Sequence, residues 1–131
     1  MKYLGSQFEK YAAVTAEKKE NHVAALESDA GGFLPIGFDL EMKPEKKEKL
    51  LLWKSLFKPY GVHDFDNEGS GADLSPLPEE IPKMELMVNS QRYFDHHHSA
   101  TDTFDKVNKR ELHLGTATMA GMIYLLTKYG L

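Results

Sequence analysis

The sequence predicts an α/β domain with helices packed on a partial, largely parallel or mixed sheet. Three observations carry that reading. Helix-period and strand-like segments alternate in the order helix, strand, helix, strand, helix, which layers helices over a sheet. At 131 residues the chain has room for one buried core and not two, so residues 1–131 are read as a single domain. Hydrophobic residues make up 41% and charged residues 27%, a globular balance, and the longest apolar runs stop short of the roughly 20 residues of a membrane span.

The elements follow in order. Tyr3 to Lys19 places Phe8, Tyr11, Ala12 and Ala16 at spacings of three and four, the stripe of an amphipathic helix without an N-terminal cap. "HVAALESD" is a short, mostly apolar run with acids at its end, the profile of a buried strand delivering Asp29 to a loop. "AGGFLPIG" follows as punctuation, with glycines and a proline. Pro44 suits the first turn of a second helix, which would present Leu50, Trp53, Leu56 and Phe57 on one face and stop at Gly61. "VHDFDNEGSGADLSPLPEEIP" reads as loop with a short strand at its start, and Met84 to Val88 as a second strand. Asn108 with Glu111 three residues on marks the start of the last helix. Its stripe is expected to be Leu112, Met119, Met122, Ile123 and Leu126, with Gly130 at its end.

Charge and composition narrow the function classes. A net charge of -4 with no dense basic patch argues against a nucleic-acid backbone as partner, because that affinity rests on Lys and Arg neutralising phosphates. With no membrane span visible either, neither nucleic acid nor membrane is expected as a partner. Cysteine is absent, so a transition metal would have to be held by His and carboxylate. "MKYLGSQFEKY" shows no export signal, and the compartment is left open.

The chemistry-bearing residues concentrate in "YFDHHHSATDTFDKVN", Tyr93 to Asn108. Adjacent side chains of an extended segment point in alternating directions, so at most one or two of His96, His97 and His98 can ligate one ion, and taken alone the run reads first as a polar surface loop. Asp29 and this loop both follow predicted strands, and loops after the carboxyl ends of parallel strands converge on one edge of a sheet. Asp29 could also cap the turn in "SDAGG", and Asp73 in "GSGADLSP" has the same option. His22, His63 and His113 have no partner at ligand spacing and read as structural or solvated. Trp53 with its leucines reads as core.

"NHVAALESDAGGFLPIGF", then "GSGADLSPL", then "YFDHHHSATDTFDKVN", then a long apolar helix resembles the C-terminal half of an M28 zinc exopeptidase catalytic domain, particularly its carboxypeptidase Q-like members. The resemblance runs from about Gly5 to Leu131. It implies half of a zinc-exopeptidase, phosphorylase/hydrolase-like fold, and a peptide substrate for the full-length parent. It also implies two zinc ions, with Asp29 a ligand of one and His98, which directly precedes Ser99 in a pattern ending in Asp102 and Thr103, a ligand of the other. Asp73 and Asp102 match positions that order the loops, and Tyr93 to Asp95 the pocket wall. His96 and His97 are not carried over as ligands.

The family's early His and bridging Asp, and its acid pair with the general base, have no counterpart from Met1 onward. The expectation is therefore that the isolated chain offers each ion one unshared ligand, binds zinc weakly, and does not hydrolyse peptides. Open strand edges would invite pairing with a second copy. The alternative is a non-catalytic interaction module, or half of a split enzyme completed by another chain.

Overall fold

The computed structural model describes residues 21–131, together with Lys10, Val14, Glu17 and Lys18. The helix expected over Tyr3 to Lys19 falls, but for those four residues, outside the described ones.

Three strands form one mixed sheet in the order β1-β3-β2: β1 is Ala25–Glu27, β2 is Pro35–Glu41 and β3 is Lys83–Val88. β1 runs parallel to β3, with Ala25 opposite Lys83 and Glu27 opposite Glu85. β2 runs antiparallel to β3, with Phe38 opposite Leu86 and Leu40 opposite Met84. β1 and β3 fall where the sequence puts strands. β2 corrects it, because part of the segment read as punctuation is a seven-residue strand. Pro35 is tolerated as its first residue, where no ladder amide is lost. Gly37 sits at a register shift and bridges to Asp64. A Cβ at Gly37 would lie 2.0 Å from the Asp64 carbonyl oxygen, so glycine is there to admit a neighbouring backbone.

One face of the sheet is apolar. Phe38, Leu40, Met84, Leu86 and Val88 are buried there against Leu50, Phe57, Val62, Phe65, Met122, Leu125 and Leu126. Phe38, Phe57 and Phe65 form a ring cluster with centroids 5.7 to 5.9 Å apart, edge-on or tilted as aromatic quadrupoles prefer.

The helices covering this face differ from the sequence reading in detail. The expected single helix after Lys43 is divided into α1, Pro44–Leu51, and α2, Lys54–Phe57, followed by a 3-10 turn, Lys58–Tyr60. Between them the amides of Leu52 and Trp53 bond three residues back, to Lys49 and Leu50, which tightens the chain. Leu50 and Phe57 reach the core, while Leu56, expected beside them, is exposed. Gly61 ends the segment at φ 84°, a conformation that favours glycine.

α3, Tyr93–His96, is a single turn. α4, Lys109–Tyr129, begins at Asn108, whose side-chain oxygen accepts from the Arg110 and Glu111 amides. Its buried stripe is Gly115, Thr118, Met122, Leu125 and Leu126, while Leu112 and Ile123 are exposed. The stripe is rotated from the one expected because two small residues face the sheet. Gly115 admits Leu86, and Thr118 is fully buried with its hydroxyl donating to the Leu114 carbonyl. No helix among the described residues is long and apolar enough to cross a membrane.

The second face of the sheet is polar. Lys83 is buried and paired with Glu41, which also accepts from the Ser70 hydroxyl, tying the loop before β3 to the sheet. Beside that pair the register lines up Glu27, Glu85 and Asp39 across all three strands. Burial, with repulsion from Asp73, Glu85 and Asp29, pushes the Glu27 carboxyl up to about 7. Asp39 and Glu85 are raised as well, each chiefly by burial, with repulsion from Asp64 acting on Asp39 and from Asp39 and Asp29 on Glu85.

A carboxyl whose pKa is raised by folding holds its proton more tightly in the folded chain. The stability it contributes is complete below its ordinary value of 4.5 and is lost as pH rises through about 7. Thermal unfolding followed between pH 5 and pH 8 is therefore expected to show a melting temperature that falls with rising pH, and Glu27→Gln should flatten most of that fall; a flat wild-type profile would contradict the buried row. Gly37→Ala should fail to fold or lose several kcal/mol in urea melts, since backbone must move to admit the methyl group.

Candidate functional site

Because β1 and β3 are parallel, the loops that follow them leave the sheet at the same edge. The loop after β1 carries Asp29, turns at Gly31 with φ 81°, and returns as β2. The loop after β3 starts at Asn89, whose side chain accepts from the Gln91 amide and whose own amide donates 2.8 Å to the Leu34 carbonyl. That bond clips the two loops together. The second loop then runs through a 3-10 turn, α3, a tight bend and a further 3-10 turn, Phe104–Lys106, before Asn108 starts α4.

A cavity of about 300 Å³ opens between the loops, at the small end of ligand-pocket sizes. Asp29, Phe33, Tyr93, His98, Asp102 and Lys106 line it, with the Gly31 and Gly32 backbone and the other two histidines. Four of the five site residues read from the sequence, Asp29, Tyr93, His98 and Asp102, thus meet around one space. Asp73 does not line it; its charge acts on Glu27 beneath the polar face of the sheet.

The three histidines are not in an extended segment. His96 ends the turn of α3, and His98 has φ 52°, the left-handed region that non-glycine residues rarely adopt. The bend sets the His98 ring against His97 with centroids 3.9 Å apart, and His97 against Tyr93 at 4.6 Å, each pair tilted. All three imidazoles therefore form wall, including the two set aside in the sequence. The bend is folded by hydroxyls: Thr101 Oγ1 donates to the Asp95 carbonyl and meets Ser99 Oγ at 2.6 Å. Asp102 contributes its amide, which donates to the Ser99 carbonyl at 3.2 Å.

Phe33 and Lys106 were missed in the sequence. Phe33 could have been found as the first bulky residue after the two glycines of the Asp29 loop. Lys106 reads as helix-approach charge, and only the folded loop brings it to the cavity. Its ammonium lies 2.8 Å from Asp105, which Lys106 and the Thr103 hydroxyl together hold down at about 2.

Metal binding can be weighed on these donors. Among the described residues no group of three or more His, Asp or Glu side chains could hold a metal ion. Asp29 and His98 are two donors on one cavity, short of the three or four protein ligands of a zinc centre. As a self-contained metal centre the set is incomplete.

No family model matches the chain. Human carboxypeptidase Q is 28% identical over 109 residues, covering 81% of this chain and 23% of that protein. Carboxypeptidase Q of Bos taurus is 25% identical over 119 residues, covering 88% of this chain and 25% of that protein. A crystal structure of a peptidase M28 precursor from Shewanella amazonensis superposes with a TM-score of 0.80 at 27% sequence identity, over 91% of this chain and 27% of that one. The chain thus spans about a quarter of the length of the relatives it matches. The chain is thus similar, over most of its length, to one part of carboxypeptidase Q and of a peptidase M28 structure.

Proposed function

We propose that the chain supplies part of the metal and substrate site of an exopeptidase that removes residues from peptide ends. Asp29 and His98 each offer a ligand to zinc, and the remaining ligands and the base that takes the water proton come from polypeptide outside these residues. The observation that carries this reading is the cavity at the carboxyl edge of β1 and β3, where both residues line one space. Zinc, when bound, supplies Lewis acidity and an activated water. The chain's own part is to hold Asp29 on a loop pinned by the Asn89 amide, to present His98 from a strained bend, and to shape the peptide's surroundings with Tyr93 and Phe33. Alone, the chain is without peptidase activity. The incomplete ligand set equally favours a second reading, a non-catalytic module that keeps the architecture and binds a partner instead.

Zinc calorimetry on the purified chain is expected to give binding weaker than micromolar, reduced further by Asp29→Asn or His98→Ala, with no amino acid released from peptide substrates. Micromolar or tighter binding accompanied by turnover would contradict the half-site. A His98 ring resonance that ignores saturating zinc would contradict a ligand role.

The bend at His98 carries its own test. A left-handed conformation costs a residue with a Cβ about 1 kcal/mol that glycine does not incur. His98→Gly should therefore be more stable than His98→Ala by about that amount in urea unfolding; equal stabilities would argue against the positive φ.

A further inference from the structure

Two leucines of the helical segment after β2 point away from the core. Leu52 is 78% exposed and Leu56 55%, and Tyr60, four residues further on, is exposed as well. The backbone stays right-handed helical through the joint, at Leu52, Trp53 and Lys58, so the spacing of four sets the three side chains in one row. That row cannot turn inward without withdrawing Leu50 and Phe57, which are buried on the opposite side of the same segment, Phe57 edge-on to Phe38 of β2. Charges bracket the row: Glu48 stands one turn before Leu52, and Lys58 follows Leu56. Lys46, Lys49 and Lys54 are engaged within the chain, with the Glu80 carbonyl, the Tyr129 carbonyl and Asp66 respectively. Among the described residues Glu48 and Lys58 have no such partner.

We propose that this row is an interface between two copies of the chain, packed antiparallel about a two-fold axis between Leu52 and Leu56. Charge order selects the second copy and its direction. Antiparallel pairing lays Leu52 of one copy on Leu56 of the other, and the symmetry repeats the contact, so all four leucines leave water. It also brings Glu48 beside Lys58, on the same flank of the row, at each end. Parallel pairing would oppose Glu48 to Glu48 and Lys58 to Lys58. Lys54, nearest the axis, is drawn aside by Asp66 and the Phe65 ring, so two ammonium groups do not meet at the centre. Neither leucine lines the cavity between the loops, so the interface stands apart from the exopeptidase reading.

Sedimentation of the whole chain at neutral pH and low ionic strength, from micromolar to near-millimolar concentration, is expected to show a reversible equilibrium of monomer and dimer. Leu52→Ser with Leu56→Ser should leave the chain monomeric with an unchanged circular dichroism spectrum, since both side chains are exposed in the single copy. Glu48→Lys or Lys58→Glu alone should raise the dissociation constant about tenfold, and the two together should bring it back to within about threefold of wild type. Contact across the interface is what gives that recovery, because along one segment the two positions stand about 15 Å apart. A dimer indifferent to the leucine changes, or a double swap that stays as weak as the single ones, would overturn the proposal. So would a monomer at every concentration: with the leucine methyl groups shielded from a soluble spin label it would assign the row to residues 1–20 of the same chain, and with them open to the label it would leave the row without a second copy.

Discussion

The parallel pairing of β1 with β3 is the constraint on which the arrangement depends. It is short, with Ala25, Leu26 and Glu27 opposite Lys83, Met84 and Glu85, and its entry is set by the Ala25 amide donating 2.8 Å to the Pro82 carbonyl. Parallel strands end on the same edge, so this one ladder brings the Asp29 loop and the histidine loop together although about seventy positions separate them in sequence. The antiparallel β2 then closes the other side of β3, and its connection to β1 is the Asp29 loop itself. Slipping the register by one residue would send Asp29 toward the opposite face and empty the cavity wall.

The same ladder divides the sheet into two unlike faces. On one, Leu26, Met84 and Leu40 continue into the aromatic cluster and the stripe of α4, a contiguous core that removes apolar surface from water. On the other, the buried Lys83 pairs with the exposed Glu41 and anchors the loop before β3, while among the described residues no cation pairs with the neighbouring acidic row.

Much of this was legible in the sequence where the signal is local. The strand leading to Asp29, the strand Met84 to Val88, the Asn108 cap and the stops at Gly61 and Gly130 all rest on neighbours within a few residues. What was not legible depends on distant backbone. Gly37 reads as a breaker, yet it is small because the Asp64 carbonyl packs against it, and the strand around it was lost with that misreading. The α4 stripe was misplaced because Gly115 and Thr118 carry no hydrophobic signal although they face the sheet. Asp29 and His98 were found together through a family resemblance and the edge rule, whereas the contact of His97 with His98 and the position of Lys106 follow from a bend that the sequence does not announce. The acidic row needs strand register, which no single segment contains.

The convergence of the two loops can be measured without metal or substrate. The chain has no cysteine, so Asp29→Cys with His98→Cys creates a unique pair of thiols that a short bifunctional reagent either bridges or does not. Intramolecular cross-linking in high yield at low protein concentration, with little for the control pair Asp73→Cys and His98→Cys, is the result expected if the parallel ladder assembles one cavity from both loops. Single-ended addition of the reagent to each of the two introduced thiols, with no bridge between them, would contradict it.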